Sequence, residues 1–139
     1  DFSSNHINEM VMRRSKFGRS VAHGALIVGY MSAASTRMIE THGAAAAGRV
    51  TAVALGYDRV RFVAPVFIGD TISVSYRIVR LEPERQRSYA DITVVNQAGE
   101  TVAVATHILK WVADEPAAAD APDGPEVEAC AGASRGQGR

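Results

Sequence analysis

The chain predicts an α+β domain: one long apolar helix followed by antiparallel strands that wrap it. Three features of the sequence carry this. From Ala22 to Thr41 apolar residues recur at three- and four-residue steps, from Val50 onward the step shortens to two, and turn chemistry separates the strand-like runs at Pro83 and at Asn96-Gln97-Ala98-Gly99-Glu100.

Taken in order, Asn8 to Lys16 mixes Met10, Val11 and Met12 with Arg13, Arg14 and Lys16, which suits a short surface helix that Phe17-Gly18 breaks. In the long helix, Leu26, Ile27, Tyr30, Met31, Ala34, Met38 and Ile39 form one face. The other face is Ala25, Val28, Gly29, Ser32, Ala33 and Ser35, small residues that let a second backbone approach. A helix apolar nearly all round predicts enclosure on nearly all sides. Gly43 is placed to cap its C-terminus, and Arg37 complements the dipole there. After an Ala/Gly connector (Ala44 to Gly48), Val50 to Leu55 and Arg59 to Val63 read as strands. Thr71 to Leu81 follows, with Ile72, Val74, Tyr76 and Ile78 on one face and Ser73, Ser75 and Arg77 on the other. Glu82 to Gln86 is a turn, and Arg87 to Asn96 with Thr101 to Val112 forms a hairpin.

At 139 residues, with 47% apolar and 22% charged residues, the chain is long and apolar enough for one globular core. The expected domain is 1–112. Residues 113–139, rich in Ala, Pro, Gly and acidic side chains without apolar periodicity, are expected to be disordered. That tail holds six acidic and two basic residues, leaving 13 basic and 9 acidic before it, a net charge of +4. This mild excess suits an anionic small molecule, and without a basic stripe interleaved with aromatics it excludes a nucleic-acid partner. The single Cys130, in the tail, excludes a disulfide framework and implies a reducing, cytoplasmic setting. The uncharged run Val21 to Thr36 is 16 residues and too short to span a membrane. Because the chain opens on Asp1 without an initiator Met, it reads as a fragment whose first strand is missing.

Chemistry concentrates in the first 24 residues, where Asp1 and His6 are followed by Phe17 and by His23-Gly24 at the start of the long helix. A carboxylate, an imidazole and a glycine-marked helix N-terminus are the parts needed to move a proton and a water molecule beside an activated carbonyl. Taken alone, such a pair is also what an exposed terminus and a capping His look like. A second segment adds weight: Leu55-Gly56, Phe62, and Pro65-Val66-Phe67-Ile68-Gly69-Asp70. No Cys or His cluster stands at ligand spacing, so no metal site is expected. His42 and His107 lack motif context and read as structural, and Arg59 and Arg61 read as a solvated strand face.

In these two segments the chain resembles the MaoC-like enoyl-CoA hydratase family, over residues 1 to about 112. The family motif places an Asp, a His, a Phe and a His-Gly pair as Asp1, His6, Phe17, His23 and Gly24 stand here. It departs at Ser3 and Ser4, where the family commonly has Asn and Pro, and Asn5 precedes the His. The resemblance implies a hotdog fold, a long central helix in a curved antiparallel sheet, and reversible syn hydration of a trans-2-enoyl-CoA to an (R)-3-hydroxyacyl-CoA. It implies Asp1 and His6 as the catalytic pair and the Gly24 N–H as oxyanion donor. It also implies Ser32 near the Asp; His23, adjacent to Gly24, reads as structural, hydrogen-bonded to the loop carrying Asp1. Coenzyme A enters only as part of the substrate, no other cofactor is implied, and a homodimer or larger assembly is expected. A hotdog thioesterase and a non-catalytic acyl-binding or assembly subunit are the rival readings.

Overall fold

In a computed structural model, residues 1–41 and 50–114 are described. Two single-turn helices, α1 (Ser4–Ile7) and α2 (Glu9–Met12), precede the long helix α3 (Gly24–Thr41). Four strands follow: β1 (Val50–Phe62), β2 (Ile72–Glu82), β3 (Arg87–Asn96) and β4 (Thr101–Ala113), with a 3₁₀ turn at Pro83–Arg85. All pair antiparallel in the order β1-β4-β3-β2, so the β3–β4 hairpin lies at the centre.

The core lies where α3 meets the sheet. Ile27 and Met31 from the helix pack with Val66, Ile92, Val94, Val102, Ala103 and Ala105. Burying an aliphatic side chain of this size contributes about 1.5–3 kcal/mol, which makes this seam the main anchor of α3. The helix is covered on this side only: Leu26 is 52% and Tyr30 49% exposed, and Ala25, Gly29, Ser32 and Ala33 also face solvent. The expectation of near-complete enclosure is therefore corrected within the single chain, because four strands present one face and a helix buries only what that face reaches.

Other boundaries shift as well. The expected surface helix over Asn8 to Lys16 shrinks to α2, capped by the Asn8 side chain accepting from Val11 N–H (3.1 Å). The two strands expected before residue 64 are one strand, β1, with irregular pairing between Ala54 and Gly56 and between Asp58 and Arg61. Gly56 (φ +146°) and Arg59 (φ +51°) absorb these bulges. Ile72, Val74 and Tyr76 turn inward as the alternation predicts, but a shift between Ile78 and Arg80 leaves Ile78 41% exposed. The expectations for His42, Gly43, the connector Ala44 to Gly48, Cys130 and the tail beyond residue 114 fall outside the described residues.

Candidate active site

The segment bearing Asp1 and His6 is laced to the residues that lead into α3. Ser20 N–H and Oγ–H donate to Glu9 Oε2 at 3.1 and 2.9 Å, and these bonds hold the Glu9 carboxyl below its usual value. Val21 N–H donates to the Asn5 carbonyl (2.8 Å), and His6 Nδ1 meets the Val21 carbonyl (2.7 Å). Val21 also bridges antiparallel to Phe67, and Ala22 N–H donates to Val66 O (2.7 Å). Residues 21–22 are thus a junction between the His6 loop and the segment after β1. The matched motif at Pro65–Asp70 earns its place by folding here: Asp70 Oδ2 accepts from Phe67 N–H (2.9 Å) and Oδ1 from the Gln97 amide (3.0 Å).

A carbonyl only accepts, so the bond to Val21 puts the proton of a neutral His6 ring on Nδ1 and the free lone pair on Nε2. Nε2 lies 3.4 Å from Asp1 Oδ2 and 3.4 Å from the Asn5 amide nitrogen. The other Asp1 oxygen accepts from the main-chain N–H of Ser3 (3.0 Å), while the Ser3 hydroxyl makes no capping bond. His23 stacks on His6 (centroids 4.0 Å, planes 24° apart) and directs Nε2 at the Asp1 carbonyl (3.0 Å). Burial first, then the charge of His6, pushes the His23 imidazole below its usual pKa. Asp1, His6 and His23 bring one ligand-capable atom each within 4.8 Å of one another, a cluster that sequence spacing does not announce. Facing a main-chain carbonyl, His23 Nε2 carries the proton of a neutral ring, which leaves its lone pair on Nδ1.

A groove of about 850 Å³ begins at His6 and His23 and follows α3 past Leu26, Tyr30 and Ala33, with Ile68 and Val74 opposite. Gly24 lines a neighbouring cavity of about 320 Å³ with Phe17 and Phe62, and the two cavities share Val21, Ala22, Ile27 and Val66. A Cβ at position 24 would stand 2.6 Å from the Phe62 ring. As the first residue of α3, Gly24 contributes an N–H without an intrahelical partner. Ser32 is exposed two turns along, its carbonyl accepting from Ser35 Oγ–H (2.8 Å), and it lines neither cavity. His107 lies apart from this site, fully buried, stacked on Tyr57 (4.3 Å) and bonded to the Tyr76 hydroxyl (3.0 Å). Arg59 and Arg61 are exposed. Sequence reasoning missed Asn5 as a member of the site, although its position beside His6 was the available signal.

Fold and site together define a hotdog-fold domain with a carboxylate–imidazole pair ahead of its long helix. The family model for the MaoC like domain matches residues 1–102, and the chain belongs to that family. A curated 3-hydroxybutyryl-CoA dehydratase of Methylorubrum extorquens is 31% identical over 83 residues, covering 60% of this chain and 47% of that one. The chain thus spans about half the length of the curated relative it matches. Among solved structures, the (R)-hydratase of A. caviae involved in PHA biosynthesis shares the fold at 20% identity (TM-score 0.67, 79% and 76% of the two chains). The R-hydratase PhaJ1 of Pseudomonas aeruginosa is similar at 26% identity (TM-score 0.62, 84% and 72%). Thioesterases share the fold too, at 13–24% identity. Among the described residues no helix is long and apolar enough to cross a membrane.

Proposed function

We propose that this domain is a hydro-lyase that adds water syn across a trans-2-enoyl-CoA to give an (R)-3-hydroxyacyl-CoA, and catalyses the reverse dehydration. The observation that carries the reading is the approach of His6 Nε2 and Asp1 Oδ2 to 3.4 Å, beside an apolar groove that leads away along α3.

In the hydration direction the water oxygen bonds to C3 as its proton passes to the lone pair of Nε2. The C2=C3 electron pair moves toward the thioester carbonyl, and the resulting enolate takes a proton at C2 from the same pair, on the same face. Asp1 stabilises the imidazolium formed in between. The enolate oxygen is assigned to the Gly24 N–H, where an unpaired donor and the helix dipole favour negative charge. Coenzyme A is part of the substrate, and the chemistry calls on no further cofactor. The exposed α3 face, with Leu26 and Tyr30 set among Ala25, Gly29 and Ala33, supports pairing with a second copy. The lone Cys130 supports a cytoplasmic setting.

The test is an assay of the purified protein with crotonyl-CoA and longer enoyl-CoAs, following loss of the enoyl absorbance and release of free thiol in parallel. Loss of absorbance without thiol supports the hydro-lyase. Thiol release indicates the thioesterase, and neither signal, with a second hotdog chain co-purifying, indicates an assembly subunit.

A further inference from the structure

We propose that Asn5 is a water-positioning residue, its carboxamide presenting a donor to the water that adds to the substrate; this rests on the hydratase reading above. The argument begins with how Nε2 of His6 is surrounded. The opposite ring nitrogen makes a short bond to Val21 O (2.7 Å), whereas Nε2 has Asp1 Oδ2 and Asn5 Nδ2 both at 3.4 Å, beyond the usual range of a good hydrogen bond. One neighbour is an acceptor, one is a donor, and Nε2 itself offers a lone pair.

These three groups complement a water molecule. It donates one proton to Nε2 and the other to Asp1 Oδ2, and accepts one from the Asn5 amide. Its second lone pair is then left to form the bond to C3. Water held by Asp1 and His6 alone presents two lone pairs, either of which can meet C3. The third contact removes that freedom, which is how positioning lowers a barrier.

Two further observations favour a role for the amide. Asn5 Oδ1 is buried without a hydrogen-bond partner among the described residues. Such an arrangement costs stability that an apolar side chain in the same place would not, which points to the nitrogen end as the reason for the residue. The main chain of Asn5 is also fixed independently of its side chain, by the bond from Val21 N–H to its carbonyl (2.8 Å). The loop can therefore hold its course when the amide is changed.

The experiment compares Asn5→Leu and Asn5→Asp with the unmodified protein, using crotonyl-CoA. Asn5→Leu is expected to lower kcat by about 10–100-fold with KM unchanged, since substrate binding is untouched and only the orientation of water is lost. Asn5→Asp sets a carboxylate beside Nε2 and is expected to move the acid limb of kcat/KM, and the His6 titration read by NMR, to higher pH. If Asn5→Leu does not fold, the near-isosteric Asn5→Asp decides. Hydration by Asn5→Leu at the unmodified rate, or by Asn5→Asp with an unmoved pH profile, overturns this inference while leaving the hydratase reading intact. Absence of hydration by the unmodified protein overturns that reading, and with it the role of the water.

Discussion

The imidazole of His6 is bound through Nδ1 to the main-chain carbonyl of Val21 at 2.7 Å, across 15 residues of sequence. A main-chain acceptor cannot change its protonation, so the bond holds one ring nitrogen as a donor and turns the other toward Asp1. The imidazole is thus oriented by the backbone, with Nε2 3.4 Å from Asp1 Oδ2.

His6→Ala is expected to lower hydration of an enoyl-CoA by about 10²–10⁴-fold, the usual worth of a positioned acid–base group. The Val21 bond contributes only about 1 kcal/mol, so folding should survive. Steady-state kinetics paired with a thermal melt measures both, and turnover close to the unmodified rate would remove His6 from the mechanism.

Gly24→Ala separates packing from oxyanion binding. The new Cβ would meet the Phe62 ring at 2.6 Å, but that ring is 54% exposed and can swing aside. The expected loss of stability is therefore at the low end for overpacking, about 1 kcal/mol. Activity should fall further, about 10²-fold, if crowding keeps the thioester oxygen from the N–H. Adding Phe62→Leu should then restore the melting temperature and not the rate. Recovery of both would leave the glycine as a packing residue only.

Burial holds the fully enclosed His107 below its usual pKa. Unfolding returns the ring to a value of about 6.5, so below that pH the unfolded chain takes up a proton that the folded chain refuses. Stability attributable to this site is complete above about pH 6.5 and is lost as pH falls toward the lowered folded value. His107→Phe keeps a ring against Tyr57 and should flatten this acid dependence. Urea midpoints on either side of the window check it, and parallel curves for the two proteins would refute the assignment.

Asp70→Ala should loosen the groove wall. The carboxylate is 8% exposed, accepts from Phe67 N–H and the Gln97 amide, and lies 3.6 Å from Arg19. The hydrogen bonds, with the Phe67 main chain first, hold its pKa below the ordinary value. Losing these partners is expected to cost about 1–3 kcal/mol, with KM rising more than kcat falls, because Ile68 and Gly69 of this turn line the groove. Equilibrium unfolding and enoyl-CoA kinetics test the two halves separately.

Elements with a strong local signal were legible in the sequence. The three- and four-residue apolar step gave α3 to within two residues of its start, and turn chemistry placed the β3–β4 hairpin. The bulges in β1 were not legible, because pairing with β4 sets them and an isolated strand carries no register. At the site, motif spacing named Asp1, His6, His23 and Gly24. The stacking of His23 on His6 and the amide of Asn5 beside Nε2 depend on a loop closing onto Val21, a long-range event.

By itself the sequence determined the α+β class, the helix and the hairpin, which follow from local periodicity and turn chemistry, while the candidate Asp1–His6 pair was singled out by the resemblance of its motif. Only the tertiary structure decided which imidazole nitrogen faces the carboxylate, which neighbours surround it, and that one side of α3 stays open in the single chain. Direction and burial are set where segments distant in the chain meet, and local pattern does not encode that meeting.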